Sequence, residues 1–380
     1  MILTPPNPLF IRGGMGELLP KYMRYRWLPL FLLLLILGLG AVLRLYRISD
    51  YMGFLGDEGR DALVVKRMIV DGKFTLLGPI TSVGLMHLGP MYYYFMAPFL
   101  FLWSLDPVGP AVMVALFSLA TILLIWKLCR EYFNTRVAAI AAMLYAISPL
   151  VITHAHSSWN PNVLPFWALL VIYSLLKVVV KHDYKWMFMV GASIGVAIQL
   201  HYVSLVFIPI TAAALGLVAW KFPWRYWLGF VGGAVVTYSP FIIFELRHQF
   251  INTLTVWQFV TRGGDAKTFG IFFVGNRIWD LLVRLFWRLV VVENAEISIL
   301  FMFLIVGTLI WILIRPGKSG YTHQALKALT VWLVVGIGVL SFYTGTIYDY
   351  YLMFVFPLPF ILVGIVGTHY LKHPVFKWGV

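Results

Sequence analysis

Two adjacent carboxylates, Asp57 and Glu58, stand in the run Gly-Asp-Glu-Gly-Arg-Asp over residues 56–61, just after the first apolar segment of the chain. Adjacent acids at a membrane surface are costly to bury, and such groups commonly take up protons or hold cations. Arg60 follows three residues after Asp57, and a guanidinium can bind a phosphate through two hydrogen bonds. The run therefore predicts a general base beside a phosphate contact. The alternative is a solvated loop with a local ion pair.

Polar residues also interrupt apolar runs further along the chain. His87 precedes Leu-Gly-Pro and three tyrosines, where it can hydrogen-bond a phosphate or a sugar hydroxyl, whereas the tyrosines are typical of a headgroup belt. Trp159 and Asn160 stand before Pro161 at the start of an apolar segment, and an amide suits sugar hydroxyls. His154 and His156 are two residues apart and would not face each other on a helix, which disfavours a histidine metal site.

Three more segments are candidates. His201 and Tyr202 follow an apolar run, where polar residues are functional candidates, with an interhelical hydrogen bond as the alternative. Glu245 and Arg247 either pair with each other, or Arg247 joins Arg60 at a phosphate. Tyr348 and Asp349 lie in a tyrosine-rich stretch that suits sugar stacking or an interfacial belt.

The composition identifies the environment of these residues. The chain has 380 residues, of which 61% are hydrophobic and only 12% charged, so most of its surface faces lipid. The net charge of +14 arises from short clusters between apolar runs, which is typical of cytoplasmic loops and excludes a nucleic-acid-binding face. The single Cys129 excludes an internal disulfide.

Ten segments are apolar and long enough to be predicted spans, given a need for about 20 residues each. When the basic loops and both termini are placed in the cytoplasm, all but three of the 15 acids fall outside. The three are Glu17, Glu131 and Asp183. The spans lie near 27–46, 107–128, 137–153, 163–179, 187–203, 204–220, 227–243, 297–314, 328–345 and 351–368.

The predicted organisation is a single all-α domain over residues 1–380 of a multi-pass plasma-membrane protein, without a soluble C-terminal domain. Residues 91–105 are predicted to form an interfacial or re-entrant helix, because a span there would invert every later loop. Arg277, Asp280, Arg284 and Arg288 are spaced as on an amphipathic helix at the outer surface. The parts are a first span (27–46), a catalytic outer loop (48–106), a six-span bundle (107–243), a second outer loop (245–296) and three C-terminal spans (297–368).

The motifs, as an ordered set, resemble the GT-C superfamily of membrane glycosyltransferases. The branch is glycosyltransferase family 39, with protein O-mannosyltransferases and aminoarabinose lipid A transferases. The resemblance covers about residues 27–260 and rests on residues 56–60, 87–94, 148–149, 159–162 and 244–248. It implies a polyprenyl-phosphate donor, transfer outside the cytoplasm with inversion, Asp57 as base, Arg60 at the phosphate and Glu58 in support. The chain has Asn160 and His87-Leu88 where some relatives have an acid and a Glu-Lys-like pair, so a divalent metal cofactor stays open.

The predicted function is transfer of one hexosyl or pentosyl group from a polyprenyl-phosphate donor to an acceptor protein, lipid or glycan. Arg60, His87 and Arg247 are predicted to bind the donor phosphate. The alternatives are a flippase or transporter, which the scarcity of charges at mid-membrane depth disfavours, and a ligase or polymerase of lipid-linked saccharides. The predicted sugar and acceptor contacts are Asn160, Trp159, His201, Tyr202, Glu245, Tyr348 and Asp349.

Overall fold

A computed structural model of the protein describes residues 27–81, 86–219, 221–262, 271–292, 294–315 and 320–371. Both termini, predicted to be cytoplasmic, lie outside these ranges. The predicted all-α fold is confirmed. Apart from the single helical turn Ile48–Tyr51, the α-helices of the described ranges are α1 (Leu28–Leu45), α2 (Gly56–Asp71), α3 (Met91–Leu102), α4 (Val108–Tyr132), α5 (Thr135–Ile147), α6 (Pro149–Ala155), α7 (Leu164–Val179), α8 (Met187–Leu200), α9 (Phe207–Val218), α10 (Trp227–Arg247), α11 (Ile251–Arg262), α12 (Ile271–Phe286), α13 (Ala295–Ile314), α14 (Gly320–Ser341) and α15 (Pro357–Leu371).

Within the described ranges, six helical segments are long and apolar enough to cross a membrane. The bent pair α5–α6 is a seventh if it counts as one span, and α3, α9 and α15 are shorter apolar helices. These segments identify an integral membrane protein, while the ten predicted spans stay a prediction. The six are Leu28–Leu45, Val108–Tyr132, Asn160–Val179, Trp224–Arg247, Ala295–Ile314 and Gly320–Ser341.

The chain bends by 61° between α5 and α6, where Pro149 cannot donate a backbone hydrogen bond. The carbonyls left free at the end of α5 accept from the fully buried Arg44 of α1, at 2.8 Å for Ala146 and 3.3 Å for Tyr145. Arg44 also donates to the Ser118 hydroxyl of α4 at 2.8 Å. The negative end of a helix stabilises a buried cation. Arg44 thereby joins three helices at the bend that leads to Trp159 and Asn160.

Helices α8 and α10 pack with their backbones in direct contact. A Cβ atom at Gly191 would overlap the carbonyl of Phe230, and one at Gly233 would overlap the carbonyl of Phe188. Such small residues are what membrane helices use for close packing. Gln199 of α8 also donates to the Thr237 carbonyl of α10 at 2.8 Å. This helix pair fixes the position of the residues that follow α8.

A helix is present over Ile271–Phe286, as the amphipathic pattern predicted, and continues as a π-helical turn over Trp287–Val291. Its buried Leu281 and Leu285 belong to the main hydrophobic core, in which residues of α13 and α14 also lie. Its arginines contact the segment between α14 and α15. Helix α12 therefore links the core to that segment.

Candidate active site

One cavity, of about 580 Å³, collects residues that are far apart in the sequence. Its lining comes from the start of α2, the turn before α7, the turn after α8 and the segment between α14 and α15. Half of the residues predicted for the site line this cavity. They are Asp57, Arg60, Trp159, Asn160, His201 and Tyr202.

Glu58 fixes the start of α2 rather than lining the cavity. Its carboxylate accepts a hydrogen bond from the Leu55 backbone N–H at 3.1 Å, which caps the helix, and one from the Ser157 hydroxyl at 2.6 Å. Glu58 is only 5% exposed. It therefore ties α2 to the chain just before Trp159 and Asn160.

Arg60 lies between two carboxylates. Its Nη1 donates to Asp57 Oδ1 at 2.9 Å, while Nε and Nη2 lie 2.9 Å from Asp61 Oδ1. The Asp57 side chain is 47% exposed, whereas that of Asp61 is fully buried. Burial raises the pKa of Asp61 to about 6, and the charge of Arg60 and the hydrogen bond from Tyr93 limit this rise. Arg60 thus forms ion pairs with one accessible carboxylate and one buried carboxylate.

Aromatic rings form another wall of the cavity. The ring of Trp159 meets that of Tyr350 at 4.6 Å, and His201 lies 5.0 Å from Tyr351. Tyr343 lines the cavity with Tyr350 and Tyr351. Rings of this kind can stack on the faces of a sugar and hydrogen-bond its hydroxyls.

Asn160 and Tyr202 each form a side-chain hydrogen bond to a backbone carbonyl of the protein. The Asn160 side-chain amide donates to the Leu200 carbonyl at 2.6 Å, and the Tyr202 hydroxyl donates to the His87 carbonyl at 2.5 Å. Both side chains nevertheless line the cavity. Their hydrogen bonds give them fixed orientations.

The cavity lining also contains apolar side chains. They include Leu205, Val206, Val339 and Leu340, together with Phe259 of α11. A space lined by both an ion pair and aliphatic side chains suits a ligand with a charged head and an apolar chain.

The structure places the remaining predicted residues outside the cavity lining. His87 is half-buried with Nδ1 3.3 Å from the Gly78 carbonyl, and Arg247 is exposed at the end of α10. Glu245 is buried and accepts from the backbone N–H groups of Asn252 and Thr253 at 3.2 and 2.7 Å, so it caps α11.

Tyr348 and Asp349 do not line the cavity but help to hold the lining tyrosines in place. Tyr348 stacks on Tyr350 with a centroid distance of 5.6 Å and an interplanar angle of 5°. Asp349 forms ion pairs with Arg288 at 3.0 Å and Arg284 at 3.2 Å. Their contacts hold the segment that carries the lining tyrosines.

Besides the lining tyrosines Tyr343, Tyr350 and Tyr351, two polar residues absent from the predicted set support the site. Asp61 stands in the predicted run, and its i+4 spacing from Asp57 is the signal that could have revealed it. Asn252 binds the backbone of His87 and the Tyr202 hydroxyl. An asparagine at the start of a helix suggests a cap, but nothing in the sequence indicates a partner 165 residues away.

The described residues do not fit a bound metal ion well. No group of three or more His, Cys, Asp or Glu side chains among them is arranged to hold a cation. Glu58 is committed to Leu55 and Ser157, and Asp61 to Arg60 and Tyr93.

Comparison with known proteins identifies the architecture. Residues 87–244, less than half of the chain, match the family model for dolichyl-phosphate-mannose-protein mannosyltransferase. The structure of ArnT from Cupriavidus metallidurans bound to undecaprenyl phosphate aligns with a TM-score of 0.61 at 17% identity. The match covers 94% of this chain and 62% of ArnT. The protein has the GT-C fold.

A second structure of that fold supports this assignment. The archaeal oligosaccharyltransferase AglB from Archaeoglobus fulgidus, in complex with an inhibitory peptide and a dolichol-phosphate, aligns with a TM-score of 0.55 at 14% identity. The alignment covers 93% of this chain and 51% of AglB, so the chain spans about half to three fifths of the length of these proteins. No curated protein matches the sequence. The predicted resemblance to GT-C glycosyltransferases is confirmed.

Proposed function

We propose that the protein is a glycosyltransferase that moves a single sugar from a polyprenyl phosphate to an acceptor outside the cytoplasm. The observation that carries this proposal is one cavity lined by the Asp57–Arg60 ion pair, aromatic rings and aliphatic side chains. A polyprenyl-phosphate sugar combines matching parts, with an anionic, hydroxyl-rich head on an isoprenoid chain.

Arg60 is proposed to bind the phosphate of the donor. Its guanidinium lines the cavity and is held in place by Asp61. A guanidinium that meets phosphate oxygens through paired N–H groups offsets the charge that develops on the leaving group. His87 and Arg247 were also predicted for the phosphate, but neither lines the cavity, and the proposal assigns them no contact.

Asp57 is proposed to act as the general base. The acceptor oxygen or nitrogen attacks C1 of the sugar, and its proton passes to the Asp57 carboxylate. The bond between C1 and the phosphate oxygen breaks, and its electron pair leaves with the polyprenyl phosphate. Attack from the face opposite the leaving group inverts the configuration at C1.

Trp159, Asn160, His201, Tyr202 and the lining tyrosines are proposed to contact the sugar and the acceptor. Rings that meet at about 5 Å leave faces and hydroxyls for a pyranose. The acceptor is a protein, lipid or glycan, reached from the extracytoplasmic side if the basic loops are cytoplasmic. The undecaprenyl phosphate in the ArnT structure and the dolichol-phosphate in that of AglB support a lipid-phosphate ligand.

The test uses membranes that contain the protein and a panel of radiolabelled polyprenyl-phosphate monosaccharides. Loss of label from the lipid is followed for wild type, Asp57→Asn and Asp71→Asn. Asp71 lies exposed at the far end of the same helix and provides a matched change of charge. We expect wild type and Asp71→Asn to consume one donor and Asp57→Asn to lose at least a hundredfold in rate.

Two results would contradict the proposal. Full turnover by Asp57→Asn would show that Asp57 is not the general base. Failure of folded wild type to consume any donor of the panel, with and without added divalent metal, would favour transport or transfer of a larger lipid-linked glycan.

A further inference from the structure

The two carboxylates on Arg60 occupy different edges of one guanidinium. Asp61 Oδ1 lies 2.9 Å from both Nε and Nη2, the pair that forms one side of the group. Asp57 contacts only Nη1. A guanidinium has five N–H donors, so this arrangement leaves donors of Nη1 and Nη2 for another acceptor.

The surroundings of the two acids differ as well. Asp61 is fully buried and also accepts a hydrogen bond from the Tyr93 hydroxyl at 2.9 Å, whereas its Oδ2 is buried without a hydrogen-bond partner. Asp57 is about half exposed at the cavity. The pair with Asp57 joins two partly exposed side chains and exchanges readily, whereas the Asp61 carboxylate is shielded from solvent that could replace Arg60 as its partner.

We propose that Asp61 is a positioning residue that holds the Nε–Nη2 side of Arg60, so that the Nη1 end can exchange Asp57 for the donor phosphate. This inference rests on the proposed function. Phosphate binding then releases the Asp57 carboxylate at the moment when a base is needed. Asp61 prevents Asp57 from taking both edges of the guanidinium, which would exclude the phosphate and occupy the base.

The proposed exchange predicts the direction in which the affinity for phosphate changes when Asp61 is removed. If Asp61 acted only through its negative charge, its removal would strengthen phosphate binding, because Arg60 would lose a competing anion. If Asp61 positions Arg60, its removal lets Asp57 capture the whole guanidinium and weakens binding. Removal of Asp57 as well then restores binding. The sign of the change distinguishes the two roles.

The experiment measures the affinity of the purified full chain for undecaprenyl phosphate, with undecaprenol as the probe that lacks phosphate. We expect wild type to prefer the phosphate, Asp61→Leu, which removes the acceptor oxygens, to bind it about tenfold more weakly, and Asp57→Asn/Asp61→Leu to return to within about threefold of wild type. Asp71→Asn is the matched control on the same helix and is expected to bind as wild type does.

A second variant keeps the test decisive if Asp61→Leu does not fold. Tyr93→Phe removes one donor to Asp61 Oδ1, and we expect about threefold weaker binding that Asp57→Asn reverses. Unchanged or tighter binding by folded Asp61→Leu would overturn the inference, and so would weaker binding without rescue. Equal affinity of wild type for undecaprenyl phosphate and undecaprenol would instead overturn the proposed phosphate site itself.

Discussion

Asn252 binds the backbone of His87 with both ends of its side-chain amide. Its Oδ1 accepts from the His87 N–H at 2.7 Å, and its Nδ2 donates to the His87 carbonyl at 3.0 Å. The same Nδ2 lies 3.1 Å from the Tyr202 hydroxyl. Three segments therefore meet beside the cavity: the loop before α3, the turn after α8 and the start of α11. The hydrogen bonds of Asn252 therefore help to fix the positions of Met86, Leu88 and Tyr202 in the cavity lining.

Replacing Asn252 by Leu should therefore impair the site more than the fold. The change leaves the His87 backbone N–H without its acceptor, although the His87 carbonyl keeps the Tyr202 hydroxyl, and an unpaired N–H of this kind costs about 1–3 kcal/mol. We expect a lower Tm and a severalfold higher KM for the donor, measured by thermal unfolding and donor consumption. Asn134→Ala, which removes the cap of α5, is the control that lowers stability without raising KM. An unchanged KM in Asn252→Leu would show that the hydrogen bonds of Asn252 do not shape the cavity.

The two adjacent carboxylates should give different losses of activity. Glu58 caps α2 and is the partner of Ser157; in Glu58→Gln the amide oxygen can still accept from the Leu55 N–H, and the NH2 group can donate to the Ser157 hydroxyl. We expect Glu58→Gln to lose less than about tenfold in kcat, and Asp57→Asn at least about a hundredfold. Ser157→Ala, which removes one partner of Glu58, should resemble Glu58→Gln. The rates come from single-donor turnover in membranes. Equal losses for the two acids would show that Glu58 takes part in the chemistry.

The sequence was sufficient to place several site residues at one end of the helical bundle. Asp57, Arg60, Asn160 and His201 all interrupt or flank apolar segments, and apolar segments of similar length bring their ends to similar depths. Residue type and position relative to the apolar runs were enough for this prediction.

The partners of the acids could not be predicted in the same way. Glu245 and Asp349 have the residue type of sugar ligands, yet one caps a helix and the other pairs with two arginines of α12. Which role an acid takes depends on groups that the fold brings from 60 or more residues away, or on whether a helix begins nearby. Hydrophobic periodicity has no information about such contacts.

The ion pairs of Asp349 predict a long-range effect on donor binding. Arg284 donates to the Ile347 carbonyl at 2.7 Å and, with Arg288, pairs with Asp349. The segment held in this way carries Tyr350 and Tyr351 into the cavity. We expect Asp349→Asn to raise the donor KM by about threefold to tenfold with little change in kcat, because the tyrosines lose their fixed positions.

The matched control for Asp349→Asn is Asp280→Asn. Asp280 is about half exposed and lies 3.9 Å from Arg284, so its loss changes the same charge without freeing the segment. Initial rates over a range of donor concentrations separate KM from kcat. A fall in kcat alone for Asp349→Asn, or the same rise in KM for both variants, would contradict a role in positioning.

The raised pKa of Asp61 predicts the pH dependence of turnover. The groups that face it are Arg60 and Asp57 of α2 and Tyr92 and Tyr93 of α3. Below about pH 6 the carboxyl is protonated, mainly because it is buried, and the ion pair with Arg60 is lost. A donor phosphodiester does not titrate near neutrality. We therefore expect kcat/KM to rise with pH through an apparent pKa near 6, and this limb to move to lower pH in Asp61→Asn.

The titration of Asp61 affects folding stability in the opposite direction to its effect on kcat/KM. Because the pKa is higher in the folded chain than the value of about 3.9 in an unfolded one, the folded state binds the proton more tightly, and stability from this group falls as pH rises from about 4 to 6. Asp61→Asn should therefore be at least as stable as wild type at about pH 7.5, although less active. Thermal unfolding and turnover of both proteins from about pH 5 to 8 test the two signs together. A variant that loses stability and activity in parallel, with the wild-type pH profile, would show that Asp61 supports the fold and does not set the position of Arg60.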